Sequence, residues 1–151
     1  MRHIHQDVLI DAPVRHVWAL SCQVERQAEW NPYMDVRNVS GPLDRPGTTF
    51  DSTLKLLGQQ VESKGTVVEV APERLLHIHG TDDRGGTSDW YYRYEPMGDR
   101  TRCALDIDYE VAGTLAGVVD TLVYHRAIER AVRHMAENFR ALAEEKVPEH
   151  A

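Results

Sequence analysis

The sequence predicts an α+β domain in which a long helix covers one face of a curved antiparallel sheet of about seven strands, and three observations carry that expectation. One alternating strand runs directly into a proline-opened helical turn, "IDAPVRHVWAL" at 10–20. Further alternating runs follow, separated by turns too short to hold a crossover. From about Leu115 to about Glu145 the apolar period becomes 3.6, with neither glycine nor proline from Val118 through Val147.

The first strand spans His3 to Ile10 and places Ile4, Val8 and Ile10 at one parity, so these face inward and His3 and His5 face out. Asp11 is the expected N-cap of a short helix that carries Val14, Val17, Trp18 and Leu20, with Pro13 in its first turn. Gln23 to Trp30 reads as a second short helical piece, stopped by Asn31, because a residue before proline is pushed out of α geometry. The strand runs are Met34–Val39, Thr48–Leu56, Val61–Val70, Leu75–Thr81, Ser88–Glu95 and Arg102–Val111. Alternation turns Phe50, Ser52, Leu54 and Leu56 inward in one of them, and Cys103, Leu105, Ile107, Tyr109 and Val111 in another. The terminal helix, roughly 45 Å long at 1.5 Å per residue, shows an apolar stripe of Val118, Leu122, His125, Ile128, Val132, Met135, Phe139 and Leu142. A single domain over 1–151 results, with 145–151 as a frayed tail.

Composition narrows the function. A chain of 151 residues buries roughly 68–70% of its unfolded surface, enough for a core without staples. Cys22 and Cys103 make no disulfide framework, and no apolar run follows basic residues at the N-terminus, so a reduced, cytoplasmic protein is expected. The formal charge is −7, with 24 acidic against 17 basic side chains and no Lys/Arg cluster, so a nucleic-acid partner is not expected. The most apolar stretch, "GTLAGVVDTLV", is interrupted by Asp120, which argues against a membrane span.

Several segments together resemble one family. "VLIDAPVRHVWALSCQVERQAEWNPYM", then "PGTTF", "VVEVAPERLLHIHG", "WYYRYEPMGDRTRC" and "ENFRALAEE" are similar, in this order, to the START-related helix-grip superfamily called SRPBCC, and most to its polyketide cyclase/dehydrase-like branch. The resemblance covers about residues 4 to 145. It implies a helix-grip fold with a deep hydrophobic cavity between the concave sheet face and the C-terminal helix. It also implies a ligand drawn from lipids, sterols, quinones, isoprenoids, hormones or polyketides, and no cofactor. Catalytic residues vary within the family, so none transfers by motif. Pro13, Trp30, Asn31 and Pro32 read as structural.

The candidate chemistry centres on "LLHIHG" at 75–80. The resemblance turns Leu75, His77 and His79 toward the cavity. Parity alone allows the reverse, since Leu76 and Ile78 are equally good core residues. On the next strand Trp90, Tyr92 and Tyr94 share the face expected to line the cavity, opposite Tyr91, Arg93 and Glu95. His125 is the polar member of the helix stripe and should face the sheet. His77, His79, His125 and Tyr92 are therefore the candidate acid/base groups, because a histidine near neutrality can take an α-proton or protonate a leaving hydroxyl. Phe50, Leu54, Leu75, Trp90, Tyr94, Leu105, Ile107, Val118, Leu122 and Met135 are the candidate ligand-binding residues. A metal held by the three histidines is the weaker alternative, since His-x-His is a sparse signal with no acidic partner on the proposed inner face. Cys103 should be buried and inert, and Ser52 has no evident base. The "RGG" hairpin turn beside Asp82 and Asp83 reads as a lid over the pocket mouth.

The expected function is binding of a small hydrophobic or aromatic molecule, with His/Tyr acid-base catalysis of the polyketide cyclase/dehydrase kind. The alternative is a carrier or sensor of a lipid, quinone or isoprenoid. A protein-binding module is a third reading if side chains fill the cavity. A homodimer is compatible with all of them.

Overall fold

The computed structural model describes residues 1–111 and 121–145. Strand β1 (Arg2–Ile10) leads into α1 (Val14–Ser21) and a 3-10 helix (Val24–Glu29). Six strands follow: β2 (Met34–Arg37), β3 (Thr49–Leu56), β4 (Gln59–Ala71), β5 (Leu75–Asp82), β6 (Thr87–Met97) and β7 (Arg100–Glu110). The long helix α2 (Thr121–Ala143) completes the described chain. All seven strands pair antiparallel in the order β1-β7-β6-β5-β4-β3-β2, so β2 to β7 form a meander and β1 closes onto β7. This is the α+β helix-grip architecture expected from the sequence. Val118 and the stretch 146–151 lie outside the described residues.

Two local expectations need correction. Pro13, not Asp11, is the N-cap of α1, and its carbonyl accepts from the N–H groups of His16 and Val17 at 3.0 and 3.1 Å. Proline suits that position because its φ of −70° and ψ of 152° are already extended and it has no N–H to leave unpaired. Asp11 instead donates its backbone N–H to Glu144 Oε2 at 2.8 Å, tying the end of α2 to the β1–α1 turn. The "RGG" turn is bound rather than loose. Asp82 Oδ1 accepts from the N–H groups of Arg84 and Gly86, both at 2.8 Å, and the Asp83 N–H donates to the Glu62 carbonyl at 2.9 Å.

The core lies between the concave sheet face and the helices. Ile4, Ile10, Phe50, Val61, Val67, Leu76, Tyr94, Ile107 and Tyr109 enter it from the sheet. From α2 come Tyr124, Ala127, Ala131, Val132, Met135, Phe139 and Ala143. Of the expected stripe, Val132, Met135 and Phe139 are buried and His125, Ile128 and Leu142 half-buried, whereas Leu122 is 49% exposed and Tyr124 is buried in its place. The small side chains of Ala127, Ala131 and Ala143 beside that stripe fill little of the space between helix and sheet. Two edge-to-face aromatic pairs fix the short helices, Trp18 on Tyr94 at 5.1 Å and Trp30 on Phe139 at 5.2 Å. Each contributes about 0.5–1.5 kcal/mol beyond its buried area.

Two backbone devices shape the concave face. A β-bulge between Val67 and Glu69 breaks the alternation of β4, so Val68 is 49% exposed while Val67 and Val70 both face the core. Gly65 pairs with Phe50, whose ring occupies the place where a Cβ on Gly65 would stand. The missing side chain is what allows Phe50 to lie flat along the sheet and into the space under α2.

Candidate functional site

The space under α2 is a cavity with two lobes. The outer lobe has a volume of about 140 Å³ and the inner about 80 Å³, far above the ~10–15 Å³ that admits one water. Gln27, Phe50, Ile78, Tyr92, Val132 and Met135 line both, so the lobes join at a waist built from sheet, 3-10 helix and α2.

The orientation of β5 is decided by its neighbours. Residues directly opposite in an antiparallel pair share a face. Leu76 stands opposite Val70 and Tyr92, and Ile78 opposite Val67 and Trp90. Leu76 and Ile78 therefore face the cavity, and the inward expectation for Leu75, His77 and His79 fails. His77 and His79 lie on the convex face, where Asp89 Oδ1 bonds His77 Nε2 at 2.8 Å and His79 Nδ1 at 3.0 Å, and the Tyr91 ring stacks on His77 at 4.2 Å. Leu75 stands opposite Arg93 on that same side. The sheet separates His77 and His79 from α2, so these two and His125 do not form one acid/base or metal cluster. Among the described residues no group of three or more His, Cys, Asp or Glu is placed to hold a metal.

The remaining candidates divide as follows. Tyr92 and Met135 line both lobes, as does Phe50; Leu54, Trp90 and Ile107 line the outer lobe; Tyr94 and Leu105 line the inner. Leu122 is exposed, and Tyr124 stands at the outer lobe in its stead, beside Ile128 of the expected stripe. His125 is mostly buried but is not part of the lining. Its Nδ1 meets the hydroxyl of Tyr109 at 2.8 Å, and Tyr109 lines the outer lobe. With the imidazole proton on Nε2, the phenol donates to Nδ1, and Nε2 faces Glu129 Oε1 at 3.6 Å. This makes a chain from carboxylate to imidazole to phenol to cavity.

A second such pair escaped the sequence reading. Tyr33 lines the outer lobe and its hydroxyl meets His134 Nδ1 at 2.8 Å. His125 and His134 stand nine residues apart on α2, about half a turn around the helix at ~100° per residue. Each flank of the helix is thus pinned by a phenol on the sheet side. A sequence signal existed for one partner only: Tyr33 directly follows "WNP", where the chain must turn back toward the sheet.

Burial holds the phenols and the thiol of the cavity in their protonated forms. Burial pushes Tyr109 up to about 12 and raises Tyr92 and Tyr94 well above the ordinary phenol value. Burial also pushes the Cys103 thiol, in the inner lobe, up to about 12, which removes it as a nucleophile near neutrality. The Ser52 and Ser63 hydroxyls bond each other at 2.9 Å. The site therefore offers apolar area, phenolic donors and two imidazoles relayed through phenols, His125 through Tyr109 and His134 through Tyr33.

A family model described as "Polyketide cyclase / dehydrase and lipid transport" matches residues 1–144. The chain belongs to that family. Among solved structures it is similar to the ZhuI aromatase/cyclase from Streptomyces sp. R1128, with a TM-score of 0.77 at 18% identity over 99% of this chain and 97% of that one. It is also similar to a truncated norcoclaurine synthase from Thalictrum flavum, with a TM-score of 0.70 at 19% identity over 97% and 95%. A START superfamily protein from Mycobacterium smegmatis matches with a TM-score of 0.69 at 18% identity over 94% and 97%. No curated protein matches the sequence. At these identities the structural matches establish the fold, and the family establishes a ligand-binding protein of the SRPBCC type. Among the described residues no helix is long and apolar enough to cross a membrane.

Proposed function

We propose that this protein binds a hydrophobic, partly aromatic molecule of the polyketide kind in its two-lobed cavity and moves a proton on it through Tyr109 and His125. The observation that carries this reading is the 2.8 Å bond between an imidazole outside the cavity and a phenol that lines it. The family description and the ZhuI likeness support the reaction class we propose, an aldol cyclisation followed by dehydration.

Tyr109 takes an α-proton from a methylene between two carbonyls of the bound chain, while its own phenolic proton passes to His125 Nδ1. The imidazolium formed is stabilised by Glu129 across Nε2. The enolate attacks a second carbonyl, and the resulting alkoxide takes the proton from Tyr109, which His125 then restores. The high phenol pKa suits this relay, because a transient phenolate there is a strong base. The apolar walls keep water from quenching the enolate.

Native mass spectrometry of gently purified protein identifies the co-purifying molecule. With that molecule as substrate, Tyr109→Phe and His125→Ala each lower turnover by about 100-fold while binding persists. A second reading, carriage of a lipid, quinone or isoprenoid without chemistry, is favoured by the absence of any imidazole or carboxylate from the inner lobe among the described residues. It prevails if the molecule binds and neither substitution changes its fate.

A further inference from the structure

Among the described residues, two buried side-chain polar atoms lack a hydrogen-bond partner, Trp30 Nε1 and the Tyr94 hydroxyl. Both belong to residues that line the inner lobe, and both residues are more than nine-tenths buried, at 7% and 5% exposure. Ser21 comes near enough to the Tyr94 hydroxyl to favour its ionisation, against a larger effect of burial. Its own hydroxyl, however, donates to the Val17 carbonyl at 2.9 Å. No hydrogen bond of normal geometry joins Ser21 to Tyr94.

Unpaired buried polar atoms are rare and costly, and such an atom usually marks a missing partner. That the two coincide in one lobe narrows what the partner is. Indole N–H is a donor only, so the partner must accept. A water could find further bonds at Gln6, Ser21 or Gln27, but it would leave the apolar surfaces of Val8, Leu43, Leu76, Leu105 and Phe139 uncovered. An oxygen attached to an apolar body supplies the acceptor and fills the rest of the lobe with carbon.

We propose that the inner lobe is a recognition subsite for a ring-borne oxygen acceptor, an aromatic ketone or phenol, whose oxygen is held by Trp30 Nε1–H and the Tyr94 hydroxyl. This rests on the cavity being the ligand site and adds which end of the ligand enters first. The oxygenated ring lies in the inner lobe, and the reactive part of the molecule extends past the waist to Tyr109. Trp30, read from the sequence as a fold residue, is then a specificity residue as well.

Titration calorimetry with two probes of equal shape tests the subsite: 1-tetralone and tetralin, which differ by one carbonyl. A purely apolar lobe favours tetralin, because the ketone loses water without compensation. The subsite instead favours 1-tetralone by about tenfold. Tyr94→Phe lowers 1-tetralone affinity by about tenfold and leaves tetralin affinity unchanged. Its unliganded melting temperature stays level or rises, since a buried unpaired hydroxyl is removed. A ¹⁵N-edited spectrum shows the Trp30 indole proton moving downfield with 1-tetralone and not with tetralin. Tighter binding of tetralin, or a 1-tetralone preference that survives Tyr94→Phe with the Trp30 signal unmoved, overturns the subsite and leaves the cavity reading intact. If neither probe binds, the subsite and the cavity reading fall together.

Discussion

The two faces of the sheet are made by the same strands and share no chemistry. On the concave face Ile107, Tyr92, Trp90, Ile78 and Leu76 border a cavity whose phenols and thiols stay protonated near neutrality. On the convex face the alternate residues form a chain of charge. His5 Nδ1 bonds Asp106 at 2.7 Å, Arg93 donates to Asp106 at 2.9 Å and lies over the Tyr91 ring, Tyr91 stacks on His77, and His77 and His79 share Asp89. The difference shows how a period of two separates functions a few ångströms apart. Four histidines pair surface carboxylates on the convex face, His3 and His5 as the sequence suggests and His77 and His79 against their reading as site residues, and the residues between them face the interior.

The largest expected effect contrasts two neighbours on β7. Ile107→Asp puts an unpaired charge into the core and costs roughly 4 kcal/mol or more in urea denaturation. Asp106→Ala, one residue away on the wet face, costs about 1 kcal/mol or less, because exposed ion pairs are screened. Similar losses at the two positions would break the contrast. Next in size is Gly65→Ala, whose Cβ displaces the Phe50 ring. We expect a loss of about 1–3 kcal/mol and weaker binding of any cavity ligand, measured by denaturation and calorimetry. Smaller again is the pair His77→Ala and His79→Ala. Stability changes by about 1 kcal/mol or less and ligand affinity stays level, so a loss of cavity binding in these variants would show that the faces communicate.

The smallest effect is the pH response, which belongs to the convex face. His5 is raised from 6.5 chiefly by its bond to Asp106 and then by Asp7. The protonated form therefore favours the fold. Its contribution is complete below about 6.5 and disappears as pH rises through the higher folded-state value. Stability should fall slightly from about pH 6 to about pH 8, and His5→Gln should flatten that part of the profile. Asp89 acts at the acid end. Partial burial pushes it up, but the bonds from His77 and His79 outweigh this and hold it below the ordinary carboxylate value. Its contribution is lost as pH falls through that lowered value, and the double variant of His77 and His79 should shorten the acid side of the curve.

Most of the fold was legible because strand and helix periods are local. The inward sets of β3 and β7, the outward placement of His3 and His5, and the common face of Trp90, Tyr92 and Tyr94 all follow from alternation next to strongly apolar residues. The face of β5 did not, since Leu75, His77 and His79 compete with Leu76 and Ile78 on nearly equal terms. Register resolves it: Thr81 of β5 pairs with Thr87 of β6 across the hairpin, so even-numbered residues of β5 stand opposite even-numbered residues of β6. Once Trp90 and Tyr92 face inward, Leu76 and Ile78 must do the same. The stripe of α2 holds at His125, Ile128, Val132, Met135 and Phe139 and departs at Leu122, which is exposed while Tyr124 is buried. Both fit the helical period, and only contact with the sheet selects between adjacent faces of a helix.

By itself the sequence determined the order of elements, the meander, the long helix and the family, because each depends on periods and turn residues within a few positions. Tertiary structure decided which chemistry meets the cavity. It put Tyr124 in place of Leu122 under α2, turned His77 and His79 outward through one hairpin register, and brought Tyr109 to His125 and Tyr33 to His134. It also placed Trp30 and Tyr94 in one lobe. The physical reason is that a one-residue shift in a strand, or a small rotation of a helix, scarcely changes local propensity yet exchanges the side chains presented to the interior. Only packing between distant elements distinguishes those alternatives.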